Sequence, residues 1–177
     1  MNKIYTLLFA AFCLSGCEYH DRERWNPAFD GTAYRPVYMN EEEVSKITFH
    51  AGEKLAEPGK IYLLEPFLFI NEKGRGIHII DNSDPANPEN ISFISIPGNY
   101  DMAAKGNWLY ADNYTDLLTF DISNPREVRL AKRIADAVPV RDFPPHNGIY
   151  FECPDPSKGT IVAWEKVDVS AKPKCWR

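Results

Sequence analysis

The chain has 177 residues and sets 20 Lys and Arg against 25 Asp and Glu, a formal net charge of −5. Its basic residues are dispersed and its longest charge run, Glu41-Glu42-Glu43, is acidic, so it lacks the phosphate-neutralising patch that a nucleic-acid partner requires. Its 14 prolines leave little room for long helices and direct the reading toward strands and turns.

At the start of the chain Lys3 precedes an apolar run from Ile4 to Leu14, broken by Tyr5 and Thr6 and followed by small residues, which is the order of an export signal. The run is too short to cross a bilayer as a mature helix, which needs about 20 apolar residues. Its end, Leu14-Ser15-Gly16-Cys17, resembles a lipobox. That resemblance implies that residues 1–16 are a lipoprotein signal peptide and that cleavage leaves a lipid on the Cys17 thiol, anchoring the protein to a membrane. Losing residues 1–16 removes one lysine and no acid, which moves the formal charge from −5 to −6. Glu18, rather than Asp, follows the cysteine, and by analogy with enteric sorting this favours lipid anchoring in the cell outer membrane. Whether the domain then faces the periplasm or the cell surface stays open.

Residues 17–40 mix charges, aromatics, Pro27, Gly31 and Pro36 without periodicity, and are expected to form the lipidated N-terminus and a flexible tether. Asn40 with Glu43 three residues on has the pattern of a capping box, so a short helical turn is expected to open a β-rich domain over 41–177. Strands are expected near Lys46–His50 and at Lys60–Leu64, Phe67–Ile70, Ile77–Asp81, Ile91–Ile96, Trp108–Ala111, Leu117–Asp121, Val128–Ile134, Ile149–Glu152 and Thr160–Val167. Turn formers such as Asn71-Glu72-Lys73-Gly74, Pro97-Gly98 and Asn124-Pro125 separate them.

Two of these stretches repeat. Phe67-Leu68-Phe69-Ile70-Asn71 matches Trp108-Leu109-Tyr110-Ala111-Asp112, and Ile79-Ile80-Asp81-Asn82-Ser83-Asp84-Pro85 matches Thr119-Phe120-Asp121-Ile122-Ser123-Asn124-Pro125, at offsets of 41 and 40. The units run over about 60–99 and 100–136. Each reads as strand, turn, a strand ending in Asp, a Ser-Asp/Asn-Pro turn and another strand. Asp and Ser side chains bond turn backbone, and proline stops the ladder. On these residues, Gly76 to Pro85 and Asp116 to Pro125 above all, the stretch from about Lys60 to Ile134 resembles the LVIVD-repeat lipoproteins of Bacteroidetes-type bacteria. That resemblance implies blades similar to those of a β-propeller and leaves the activity undetermined. Two clear copies do not close a ring of four to eight blades, so the expected fold is mainly β, with propeller-blade-like repeats of about 40 residues in an incomplete propeller or stacked antiparallel sheets.

Four sets of residues are candidates for chemistry. Cys153 and Cys175, the thiols left after Cys13 departs and Cys17 is lipidated, are expected to pair outside the cytoplasm, the alternative being two free thiols. Asp112, Asp116 and Asp121, with Asp101 and Asn113 nearby in sequence, are candidates for a calcium site, against turn-stabilising Asx contacts; no other cofactor is expected. The aromatics Tyr100, Trp108, Tyr110, Tyr114, Phe143, Tyr150, Phe151, Trp164 and Trp176 either line a sugar or peptide groove or fill a β core. His78 alternates with Ile77 and Ile79 on a strand and reads as a structural or surface histidine rather than a catalytic one. No GxSxG, HExxH, P-loop or GxGxxG pattern occurs, and no catalytic residue is assigned. The expected function is a lipid-anchored, non-catalytic module that binds an envelope protein or associates with itself; the alternative is a carbohydrate-binding or carbohydrate-hydrolysing surface lipoprotein.

Overall fold

Short runs of alternating side chains, punctuated by Gly, Pro and Asx turns, give three sheets in the computed structural model, which describes residues 26–177. The expected signal peptide, residues 1–16, and Cys17 lie outside the described residues.

The first repeat forms β3 (Pro58–Leu64), β4 (Phe67–Glu72), β5 (Gly76–Asp81) and β6 (Glu89–Ser95), an antiparallel meander to which β2 (Thr48–Ala51) adds beyond β6. The second forms β7 (Met102–Lys105), β8 (Trp108–Asn113), β9 (Asp116–Asp121) and β10 (Arg129–Ile134), again a four-stranded meander. The third sheet joins the two ends of the described chain. In it β1 (Thr32–Met39) lies between β12 (Thr160–Asp168), antiparallel, and β11 (Tyr150–Phe151), parallel, and β13 (Cys175–Trp176) completes it beside β11. The fold is thus mainly β and built of blade-like repeats. Three sheets are one short of the smallest propeller ring.

Strand β1 corrects the expectation of a tether running to residue 40. Its Thr, Tyr and Val side chains favour extended backbone, and it pairs with β12 along its whole length, with a bulge between Val37 and Tyr38. Pro36, which argued for a tether, is tolerated because the pairing with β11 stops at Tyr34, so no ladder bond is required of it on that side.

The two repeats share one core, to which Phe69, Ile79, Ile94, Leu109, Leu118 and Phe120 contribute fully buried side chains. Strand β2 ties the sheets together, since its Phe49 ring stands edge-on to Phe120 with centroids 6.4 Å apart. The turn between β4 and β5 needs its glycines. Gly74 has φ +76° and lies against Ala163 of β12, while a Cβ at Gly76 would fall 2.0 Å from the Ile94 carbonyl oxygen.

Helix α1 (Glu41–Ser45) carries the capping box: Glu43 N donates to Asn40 Oδ1 and Asn40 N donates to Glu43 Oε2, both at 2.9 Å. The Val44 carbonyl accepts from Asn113 Nδ2 and the Ser45 carbonyl from Arg133, so this single turn is latched onto the second repeat. Asn40→Ala is expected to cost about 1 kcal/mol in urea denaturation, by leaving first-turn N–H groups without their acceptor.

Candidate functional site

The signature of the repeat is a turn device. Asp81 Oδ1 accepts from the Ser83 N–H at 2.9 Å and from the Ser83 hydroxyl at 2.5 Å, and Asp121 Oδ1 accepts from the Ser123 N–H at 2.9 Å. The Ser83 hydroxyl and N–H hold the Asp81 carboxyl below the usual range, and the Ser123 N–H and hydroxyl do the same for Asp121. Asp30 with Thr32 and Asp155 with Ser157 repeat the arrangement at the edges of the third sheet. The two repeat turns also touch, because the Arg126 guanidinium pairs with Asp81.

A polar seam runs between the repeats where β4 and β8 end. Asn71 and Asp112, equivalent positions of the two copies, converge on Asn99: Asn71 Nδ2 donates to Asn99 Oδ1 at 2.5 Å, and Asn99 Nδ2 donates to Asp112 Oδ1 at 2.8 Å. Asp112 Oδ1 also accepts from the N–H groups of Tyr100 at 2.7 Å and Asp101 at 2.9 Å. Burial pushes the Asp112 carboxyl up in spite of these donors. Burial and the Asp112 charge together push the Tyr100 phenol up to about 12. Asn113 Nδ2 donates to the Pro97 carbonyl at 2.6 Å, closing the seam against the linker between the sheets.

The first repeat holds a second buried polar group that sequence reading missed. His78 and Glu72 are fully buried, with His78 Nε2 2.5 Å from Glu72 Oε2. Asn90 Nδ2 lies 2.6 Å from the Glu53 carbonyl and 3.0 Å from His78 Nδ1, which makes Nδ1 the acceptor and leaves Nε2 to donate to Glu72. Arg75 donates to Glu72 Oε1 at 2.6 Å and to Glu53 Oε1 at 2.7 Å, and lies over the Phe93 ring that packs on His78. Burial opposes the Glu72 charge, but hydrogen bonds from His78 and Arg75 outweigh it and hold the carboxyl below its ordinary value. The second copy offered a signal: the position equivalent to His78 is Leu118, fully buried, so His78 is inside too and requires partners. Sealed from solvent, the pair has a structural role in holding the turn.

The calcium candidates separate. Asp112 is held by the seam, Asp116 pairs with Arg133 at 2.6 Å and accepts from the Asp136 N–H, Asp121 serves its own turn, and Asp101 pairs with Lys60. Among the described residues no three His, Cys, Asp or Glu side chains form a group able to hold a metal. Only Asp121 makes the local Asx contact of the alternative reading; Asp101, Asp112 and Asp116 are engaged by donors from other segments. Cys153 and Cys175 are joined in a disulfide with Cα atoms 5.2 Å apart, between the chain leaving β11 and strand β13.

Of the aromatic candidates, Tyr150 and Phe151 are core residues, whereas Tyr100, Phe143 and Trp164 gather around one cavity. Trp108 is exposed at the start of β8. The sheet edges differ in character. Strand β3 pairs with β4 on one side only, packs Tyr62 and Leu64 on the core, and exposes Ile61 to 64% and Leu63 to 51%. Strand β10, at one end of the second sheet, carries Arg129 and Lys132 beside exposed Leu130 and Ile134, cations of the kind that discourage strand addition.

The LVIVD repeat family matches residues 59–94 and 100–136, so each match covers one four-stranded meander. No curated protein and no solved structure matches the chain.

Proposed function

We propose that this chain, in which two LVIVD repeats build two of three sheets, is an outer-membrane lipoprotein held through Cys17 whose folded part docks a partner envelope protein without chemistry of its own. The observation that supports this reading is the free edge of β3, with Ile61 and Leu63 exposed on one face. An extended segment of the partner adds there as a further strand. Its backbone satisfies the open N–H and C=O groups, while its apolar side chains cover Ile61 and Leu63.

Crosslinking and co-purification of the lipidated protein from native membranes tests this directly. One envelope protein is expected near stoichiometric amounts, and the pair Ile61→Lys with Leu63→Lys, whose side chains are already outside the core, is expected to lower its recovery about tenfold with the melting transition unchanged. Equal recovery with the altered edge overturns the β3 reading, and return of only lipid and the protein itself favours self-association. Cys17→Ala releases the protein from the membrane fraction if the lipid resides there.

A further inference from the structure

A cavity of about 200 Å³ lies where the segment linking the second and third sheets folds back, lined by Tyr100, Arg141, Phe143, Pro145, Trp164 and Arg177. Three aromatic rings and a proline supply its apolar faces, and two guanidiniums supply its charge. Among the described residues, neither Arg141 nor Arg177 has a carboxylate within ion-pair distance. Asp112, the buried acid that feels the Arg141 charge, already accepts from three donors.

Both guanidiniums are pre-positioned. Arg141 lies over the Tyr100 ring at 6.0 Å, and Arg177 lies over the Phe143 ring at 3.9 Å. A guanidinium stacked on a ring keeps its in-plane N–H fork free, and that fork matches a carboxylate. Arg177 is further fixed by a bond from its side chain to the Pro144 carbonyl at 3.0 Å and by backbone bonds to Gly148 and Ile149.

We propose that this cavity binds a carboxylate-bearing sugar, with the arginine pair holding the carboxylate and Trp164 covering an apolar face of the ring. The volume suits one ring and is below the range of drug-sized ligands, so an extended acidic peptide does not fit. Arg141 also lines an adjoining cavity of about 270 Å³ beside Lys60 and Tyr110, which gives a second sugar unit a path across the second sheet.

The test titrates the folded protein with glucuronate, glucose and acetate by calorimetry. Glucuronate is expected to bind saturably and at least about tenfold more tightly than either control, and Arg141→Gln is expected to weaken it about tenfold or more with the melting transition unchanged. Arg141 is exposed, so this variant tests the site without the fold; Trp164→Ala, followed by the same titration, reports on the ring contact. Absence of saturation up to roughly 50 mM glucuronate, equal binding of acetate, or an Arg141→Gln variant that binds as the parent does overturns the proposal.

Discussion

Glu72→Ala is expected to destabilise the protein by about 1–3 kcal/mol, the cost of leaving a buried hydrogen-bond donor without its acceptor. The substitution leaves His78 Nε2 without an acceptor in a fully buried site, and it removes one of the two carboxylates that hold Arg75 over Phe93. Glu72→Gln keeps the shape and one acceptor oxygen, and so is expected to fall between the parent and the alanine variant. Urea denaturation at neutral pH orders the three. The acid range gives a second readout. The folded Glu72 carboxyl lies below its ordinary 4.5, so its stabilising contribution is present above about pH 4.5 and is lost as the pH falls through the folded value. Asp112 acts with the opposite sign. Its folded carboxyl lies above 3.8, so its contribution is present below that value and is lost as the pH rises through the folded one. Glu72→Gln is therefore expected to flatten the acid-side decline, and Asp112→Asn to steepen it. An unchanged acid profile in Glu72→Gln would falsify this assignment.

Removing the Cys153–Cys175 disulfide, by reduction or by paired serine substitutions, is expected to lower stability by about 3 kcal/mol through the loop it closes, in the chain-entropy model. The loss falls on the third sheet. Strands β11 and β13 are two residues each, and two short backbone pairings hold little alone. Because Arg177 follows β13 directly, the same change is expected to release the guanidinium from Phe143 and abolish glucuronate binding before the two repeats unfold. Melting with and without reductant, followed by tryptophan fluorescence and by calorimetric titration, separates the two events. Coincident loss of all signals would show that the three sheets unfold as one unit.

The parts of the fold that were legible in sequence are those where local chemistry decides the structure. The Asn40 and Glu43 capping box, the glycine turn after Glu72 and the Asp-x-Ser turns at Asp81 and Asp121 each form from residues within a few positions of each other. Runs of apolar, β-branched and aromatic residues located the strands of both meanders except β7, because Met102-Ala103-Ala104-Lys105 has no β-branched or aromatic side chain and gains its place by pairing with β8. Strand β1 was hidden for a related reason. Its partner β12 lies more than a hundred residues away, while Arg35 and Pro36 argue locally against a strand. Clustering in sequence did not show that Asp112, Asp116 and Asp121 lie on different faces and ends of a hairpin, where separate donors engage them. The cavity at Tyr100, Arg141 and Trp164 draws on three distant segments, so the list of aromatics named its walls without showing which of them meet.

The stitching of β1 to β12 also fixes an order of assembly. As the chain emerges during synthesis, each meander can close on neighbouring residues, the first repeat ahead of the second. Strand β1 comes out before either and waits, its backbone unpaired, until Thr160–Asp168 arrives. During that interval an extended strand with Tyr and Val side chains is open to capture by a chaperone or by a neighbouring copy. Slowing release of Thr160–Asp168 should therefore favour misassembly more than slowing either meander, because β12 is the strand that retires the unpaired edge of β1.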